Sequence, residues 1–247
     1  MTPFLIGYIL STLISVYAYY KEALSSSGAF TAVALGTLVF GFGGLIAFLI
    51  FISFFLVSFG IGLYYKKDTK TRRTYKQVLA NGFLATVLIF LHSVHGLDAY
   101  YALFMGSVAV SAVDTFSSEI GKTSRNEPFH VFKRTPMPKG LSGAISVKGL
   151  LAGLLGALFY GLIALAVLQN VFYGAAVFGI GFLGTLIDSA LGTVQVKYID
   201  EKDNTITEEK SETTEIHSGF AWLDNDLVNF LTNLIAVLIM GLLVMLI

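Results

Sequence analysis

Two acids, three hydroxyl side chains and a lysine interrupt an apolar stretch at residues 114–122. The acids are Asp114 and Glu119, and a third acid, Asp188, stands in a similar apolar setting further along the chain. An ionised side chain inside a membrane span costs on the order of 3 kcal/mol, so such residues usually face protein or water and usually have a function. We therefore predict that two helices meet here to build one polar site within an apolar protein.

The elements that position this site are predicted to be membrane-spanning helices. Of the 247 residues, 55% are hydrophobic and 13% are charged, whereas a soluble domain typically has about 25% charged residues. The 16 basic and 16 acidic residues balance, and we expect no nucleic-acid partner. Because the chain has no cysteine, thiolate metal sites, disulfides and cysteine nucleophiles are excluded.

Seven apolar runs divide the chain, at residues 3–20, 23–65, 77–92, 97–120, 142–168, 171–198 and 227–247. The second run would form a helix of roughly 60 Å, against a hydrocarbon core of about 30 Å. Its glycines at residues 41–44 are the predicted break. We predict an all-α polytopic transmembrane helical bundle of about eight spans, or seven if one segment is re-entrant. Residues 1–247 would form a single integral membrane domain.

The basic residues indicate the orientation of the spans. Lys and Arg concentrate on the cytoplasmic side of short loops, and here most of them lie in residues 66–76 and 122–139. Both termini are then predicted to lie outside the cell membrane. Residues 199–218, rich in Glu, Lys and Thr, are predicted to be a solvated or mobile cytoplasmic excursion, to which no chemistry is assigned.

Two other polar stretches reach the same side. Gln77 and Asn81 share one face at the start of a span. Residues 133–149 join a basic loop to a glycine-rich helix start, where backbone amides, Lys139 and Lys148 would suit an anion. The alternatives are that the cations anchor the loops and that the glycines allow close helix packing.

The last span begins with a polar stripe. Asp226, Asn229 and Asn233 follow one another at i, i+3 and i+7, so they lie on one helix face. Capping of the helix explains Asp224 and Asn225 equally well. Capping does not explain the deeper residues, which are predicted to line a cavity or to hydrogen bond a neighbouring helix.

Taken together, five motifs resemble the phytyl-phosphate kinase-like family of integral membrane proteins. The resemblance runs in order from about residue 30 to the end of the chain, and its motifs lie at residues 70–82, 114–122, 136–146, 188–198 and 224–230. The chain departs from the family pattern at two positions. Phe116 stands where the family more often has Trp, and Leu141 stands where it more often has Thr.

The resemblance implies transfer of a phosphoryl group from a nucleoside triphosphate, CTP or a similar donor, to an isoprenoid monophosphate. The implied catalytic residues are Asp114, Glu119, Asp188 and Lys139. Because phosphoryl transfer needs charge neutralisation, we predict that the three acids hold one or two Mg²⁺ ions. Glu119 is the weakest of these, since on a helix it points about 140° away from Asp114. The resemblance also implies Ser142, Gln195, Asn225 and Asn229 as supporting positions. From the residues themselves we predict that substrate and nucleotide are further bound by Arg72, Arg73, Asn81, Ser118, Lys122, Gly140, Gly143, Ser146, Lys148 and Asp226.

Three other interpretations compete with a kinase. The acids can simply anchor helix ends by pairing with Lys122 or Lys148. A cation-coupled transporter would also use intramembrane acids such as Asp114 and Asp188, although its site is expected near the midplane. A lipid-binding scaffold would need the basic loops but not the acids and asparagines.

Overall fold

The computed structural model describes residues 2–64, 72–200 and 204–244. Three predicted loop cations, Lys66, Lys67 and Lys70, and residues 201–203 of the excursion lie outside the described residues. The described helices are α1 (Thr2–Tyr20), α2 (Ser26–Tyr64), α3 (Tyr75–His95), α4 (Asp98–Lys122), α5 (Val147–Leu168), α6 (Val171–Gly192) and α7 (Asn225–Val244). By length and composition, all seven of these described helices are capable of crossing a membrane. The prediction of a polytopic helical bundle is therefore confirmed.

Helix α2 folds back on itself at Gly44. This glycine has φ 69° and ψ −166°, a conformation that residues with a Cβ rarely adopt. The rings of Phe40 and Phe48 lie 5.5 Å apart, although eight residues of a straight helix would rise about 12 Å. The two arms are therefore antiparallel, and each is long enough to cross the membrane. The predicted break at residues 41–44 is confirmed, and the arms give the eight-segment arrangement.

Four connections gather at one end of the bundle, which we call the loop end. Their described residues are 21–25, 72–74, 123–146, 193–200 and 204–224. The first two are joined there, because Ser25 N–H donates to the Arg73 carbonyl and Arg73 N–H donates to the Ala23 carbonyl, both at 3.0 Å. The short turns that follow α3 and α5 lie at the opposite end. This agrees with the predicted grouping of the basic loops on one side.

Helix α4 is the central element. It is the most buried of the seven helices in the described part of the chain, and it packs against α2, α3, α5, α6 and α7. Glycines bring α5 close to it. A Cβ on Gly149 would lie 2.7 Å from the Ser117 carbonyl oxygen, and a Cβ on Gly156 would lie 2.5 Å from the Phe116 ring. Close packing of α5 through its glycines, which was one predicted alternative, is therefore present.

Short strands order the connections at the loop end. They are β1 (Phe129–His130), β2 (Ala144–Ile145), β3 (Lys197–Asp200), β4 (Ile206–Thr207) and β5 (Thr214–Ser218). Strands β1 and β2 pair antiparallel, and a three-stranded sheet has the order β4-β3-β5. The predicted excursion is largely exposed in its described part, but the sheet gives it a defined path. This path brings it back over the end of α6.

Candidate functional site

A cavity of about 450 Å³ opens at the loop end, between α3, α4, α6 and α7. Most of the residues predicted from the sequence line it together. They are Arg73, Asn81, Asp114, Ser118, Glu119, Lys122, Lys139, Gly140, Ser142, Gly143, Ser146, Asp188, Asn225 and Asn229. Residues far apart in the sequence therefore share one polar space at the end of an apolar bundle.

Asp114 and Asp188 face this space from two helices that run in the same direction. Asp114 lies about two turns before the end of α4, and Asp188 lies about one turn before the end of α6. Thr232 Oγ1 of α7 donates to Asp188 Oδ1 at 3.3 Å. Among the described residues, no group hydrogen bonds to the Asp114 carboxylate. Both acids line the same cavity, so the pair is suited to hold a cation between helices.

The donor set fits Mg²⁺ bound together with a phosphate ligand. In the described part of the chain, no three acidic or histidine side chains lie together as a preformed metal site. Mg²⁺ is usually held by only one or two carboxylates, with substrate phosphates and water completing its octahedron. Two carboxylates within one cavity meet that requirement. Glu119 also lines the cavity, and its Oε1 accepts from Lys122 Nζ at 3.4 Å.

The glycine loop, residues 140–143, carries hydrogen-bond donors at the edge of the cavity. Gly140 and Gly143 have φ values of 90° and 87°, which favour glycine because a Cβ is strained there. Between them, the backbone N–H and the hydroxyl of Ser142 both donate to the Glu208 carboxylate, the hydroxyl at 2.9 Å. The Lys139 ammonium lies beside the loop and donates to the Ser124 carbonyl at 2.7 Å. In this structure the Ser142 donors are therefore taken by a carboxylate of the chain itself, and binding of a ligand anion by this loop stays a prediction.

Glu208 is a cavity residue that the sequence did not indicate. It follows β4 in the exposed excursion, where neither periodicity nor an apolar setting marks it. Lys197, on the neighbouring strand β3, is also unpredicted. Its side chain is buried, and its Nζ donates to the Gly192 carbonyl at 2.9 Å. Burial lowers the pKa of Lys197, and the Glu208 carboxylate opposes this shift.

Arg73 and Ser146 line the cavity while holding the fold around it. Burial lowers the pKa of Arg73, and the charge of Glu119 opposes this shift. The Arg73 guanidinium lies 5.4 Å from the centre of the Phe54 ring. Ser146 caps α5 by accepting from Gly149 N–H at 3.1 Å. Both residues therefore stabilise the wall of the cavity and also present polar groups to it.

The structure separates two predicted cations from the cavity. Arg72 points outward and forms an ion pair with Glu22 in the turn between α1 and α2. Lys148 is exposed at the start of α5, where its Nζ donates to Thr123 Oγ1 at 2.6 Å and so ties α5 to the end of α4. Neither residue lines the cavity. The loop-anchoring alternative describes them better.

Two predicted polar residues near the last helix also lie outside the cavity lining. Gln195 is almost fully buried, and its backbone pairs with that of Phe220 beneath the sheet. Asp226 lies in the first turn of α7, on a face that does not line the cavity. Asn225 and Asn229 do line it. The sequence spacing predicted one shared face for Asp226 and Asn229, but only Asn229 is turned toward the cavity.

Asn233 joins helices instead of lining the cavity. Its side chain is buried, with Oδ1 accepting from Ser107 Oγ at 2.7 Å and Nδ2 donating to Ser111 Oγ at 2.7 Å. Ser111 Oγ in turn donates to the Asn81 carbonyl of α3 at 3.2 Å. This network holds α3, α4 and α7 together below the cavity. The deeper asparagines were predicted to line a cavity or to hydrogen bond a neighbouring helix. Asn229 lines the cavity, and Asn233 bonds to the neighbouring helix α4.

Comparison with known proteins identifies the family to which the chain belongs. Residues 9–237 match the family described as integral membrane protein DUF92. The chain belongs to this family. It is therefore a multi-pass integral membrane protein, as the composition and the helices also indicate. No solved structure matches the chain.

Three relatives span an archaeon and a plant. The chain is 31% identical to the uncharacterized membrane protein MJ0933 of Methanocaldococcus jannaschii over 180 residues, covering 70% of this chain and 75% of the relative. It is 29% identical to Protein PGR of Arabidopsis thaliana, covering 92% and 91%. It is 28% identical to Protein VTE6, chloroplastic, of the same plant, covering 83% of this chain and 61% of the relative. These relatives support the resemblance to the phytyl-phosphate kinase-like family.

Proposed function

We propose that this protein is a membrane-embedded kinase. It transfers a phosphoryl group from a nucleoside triphosphate, CTP or a similar donor, to an isoprenoid monophosphate at the cytoplasmic face of the cell membrane. One observation carries the proposal: the polar cavity at the loop end combines Asp114 and Asp188 with Lys139 and the Ser142 loop. Its relatedness to VTE6 supports the proposal further.

The cavity provides what phosphoryl transfer requires. Negative charge crowds around the transferred group, so catalysis depends mainly on alignment and on charge neutralisation. Asp114 and Asp188 would hold Mg²⁺, which neutralises phosphate charge and orients the donor when bound. Lys139 and Lys122 add positive charge, and the Ser142 N–H and hydroxyl are donors for phosphate oxygens. Asn225 and Asn229 offer neutral amides at the opposite wall.

The acceptor needs no strong general base in this scheme. A phosphate monoester is largely ionised near neutral pH, so its oxygen attacks the terminal phosphorus of the donor directly. The new bond joins that oxygen to the phosphorus, while the bond from the phosphorus to the bridging oxygen breaks and the nucleoside diphosphate leaves. The products are an isoprenoid diphosphate and a nucleoside diphosphate. In this scheme Asp114 and Asp188 would hold the metal ion, and neither has to accept a proton from the acceptor.

The position of the cavity favours this function over cation-coupled transport. Transporter sites usually lie near the midplane and open alternately to both sides. Here the acids lie within about two turns of the loop end, and the Asn233 network with its packed neighbours fills the bundle below them. An interfacial site is what a lipid headgroup and a soluble nucleotide both reach.

The test is product formation by the purified protein in detergent. Phytyl or geranylgeranyl monophosphate is incubated with Mg²⁺ and each of the four common nucleoside triphosphates, and products are identified by mass spectrometry. We expect the isoprenoid diphosphate with at least one donor, most strongly with CTP. The absence of diphosphate from every pair would overturn the proposal. Omission of Mg²⁺ should abolish the product in the productive pair.

A further inference from the structure

A second, apolar cavity of about 80 Å³ lies beside the polar one. We call it the apolar cleft. Its walls come from α1, from both arms of α2 and from the start of α3. They are formed by Ser11, Ile14, Ser15, Leu24, Ala32, Gly36, Phe48, Phe51, Ile52, Phe54, Phe55, Val78 and Gly82. Almost all of these groups are hydrocarbon, so the cleft suits an apolar ligand.

The two cavities meet at Phe54, whose side chain lines both. The Arg73 guanidinium stands over the Phe54 ring from the polar side. Helix α3 also divides the cavities, because Gln77 faces the polar one while its neighbour Val78 faces the cleft. A ligand with a charged head and an apolar chain would therefore have its head in the polar cavity and its chain in the apolar cleft, on either side of the Phe54 ring.

The cleft runs from the loop end toward the middle of the bundle. Phe55 and Phe48 line it on the same arm of α2, seven residues apart, so it is about 10 Å deep. Small residues make it wide enough, since Ser15 and Ala32 project little into it from α1 and from the first arm of α2. This direction is the one that a lipid chain takes when its headgroup lies at the membrane surface.

We propose that the apolar cleft binds the headgroup-proximal part of the isoprenoid chain of the acceptor. This inference rests on the proposed kinase function, and it adds the place where the lipid is recognised. At about 80 Å³ the cleft encloses only the first carbons of the chain, and the remainder lies among membrane lipids. The protein therefore selects acceptors by the branched hydrocarbon next to the phosphate and tolerates differences in chain length.

The first test fills the cleft. Ala32→Phe places an aromatic ring in it, and Ala34→Phe places the same ring on the exposed face of the same helix arm. We expect Ala32→Phe to raise the KM for geranylgeranyl monophosphate by about tenfold or more, because a filled pocket loses its contacts with the substrate. The KM for the nucleotide and the behaviour of Ala34→Phe should stay close to wild type. Ser15→Leu is the milder second variant if Ala32→Phe does not fold.

The second test does not depend on turnover. A geranylgeranyl monophosphate with a photoreactive diazirine on its first isoprene unit is crosslinked to the purified protein, and the labelled residues are mapped by mass spectrometry. We expect labels at residues 48–55 and near Val78, competed by unlabelled geranylgeranyl monophosphate and lost in Ala32→Phe.

The outcomes separate the two proposals. Labelling spread evenly over the lipid-facing helices, or unchanged by Ala32→Phe, would overturn the assignment of the cleft even if the protein makes diphosphate. Cleft-specific labelling without any diphosphate product would instead overturn the kinase function and leave the cleft as a site for an isoprenoid phosphate.

Discussion

At the scale of single residues, the two intramembrane acids differ in their surroundings. Asp188 accepts a hydrogen bond from Thr232. The Asp114 carboxylate lines the cavity and accepts no hydrogen bond from the described residues. Both are recognisable in the sequence because an acid in an apolar run is costly and therefore stands out. Glu208 is not recognisable in this way, since acids are common in exposed connections and only the pairing of β3 with β4 brings it to Ser142.

Asp188→Asn should leave the protein folded and reduce turnover by about 100-fold or more, because an amide keeps the shape but not the charge that holds a cation. Turnover is measured as isoprenoid diphosphate formed per minute, and folding as a single symmetrical peak in size-exclusion chromatography. Asp226→Asn is the matched control, since Asp226 does not line the cavity. Near-normal turnover of Asp188→Asn would remove Asp188 from the cation site.

Glu208→Gln should strengthen nucleotide binding. The Glu208 carboxylate takes both donors of Ser142, so phosphate oxygens compete with it and are also repelled by its charge. We expect the KM for the nucleotide to fall by about threefold to tenfold, which corresponds to roughly 1 kcal/mol. Glu212→Gln, in the exposed turn of the same excursion, should leave this KM unchanged. A large loss of turnover in Glu208→Gln would indicate instead that Glu208 acts directly in catalysis.

Among the helices, the contact between α4 and α5 forms one wall of the cavity. Gly121 and Gly149 let the two backbones approach, and Ser146 bridges them by donating to the Gly121 carbonyl at 3.3 Å. The sequence indicated this contact, because glycines spaced along one helix are typical of close packing in membranes. The length of α2 and its glycines likewise indicated the fold-back at Gly44.

Gly149→Ala should destabilise the protein by about 1–3 kcal/mol, since its Cβ would lie 2.7 Å from a backbone oxygen that cannot move aside easily. A lower melting temperature in detergent, with reduced turnover, is the expected result. Gly179→Ala is the control from another helix, because a Cβ at Gly179 would project into open space. That variant should be neutral or stabilising by up to about 1 kcal/mol. Equal effects of both changes would contradict the packing argument.

The placement of individual polar side chains around each helix was harder to predict. Spacing put Asp226 and Asn229 on one face, but the rotation of α7 admits only Asn229 to the cavity. That rotation is fixed by Asn233, which bonds to Ser107 and Ser111 of α4. A sequence alone does not show which neighbouring helix provides such partners, so the depth and angle of a polar stripe emerge only from packing.

For the molecule as a whole, a kinase that uses a soluble nucleotide needs the loop end of the bundle on the cytoplasmic side. The chain lacks cysteine, so single cysteines placed at exposed positions report on sidedness. We expect Glu127→Cys and Glu212→Cys to react with a membrane-impermeant maleimide only in lysed cells. Asp98→Cys and Thr2→Cys should react in intact cells. Labelling of Thr2→Cys from the cytoplasm would contradict the eight-segment orientation.

Transfer of a labelled phosphoryl group to a membrane lipid shows whether the cavity around Asp114 is the active site of a kinase. Purified wild type, Asp114→Asn and Asp98→Asn are incubated with Mg²⁺, geranylgeranyl monophosphate and CTP carrying ³²P in its terminal phosphate. Asp98 lies at the far end of the same helix, so Asp98→Asn controls for the loss of a charge. We predict that ³²P appears in geranylgeranyl diphosphate for wild type and Asp98→Asn but not for Asp114→Asn. Transfer by Asp114→Asn at the wild-type rate, or no transfer from any nucleotide by wild type, would contradict the account.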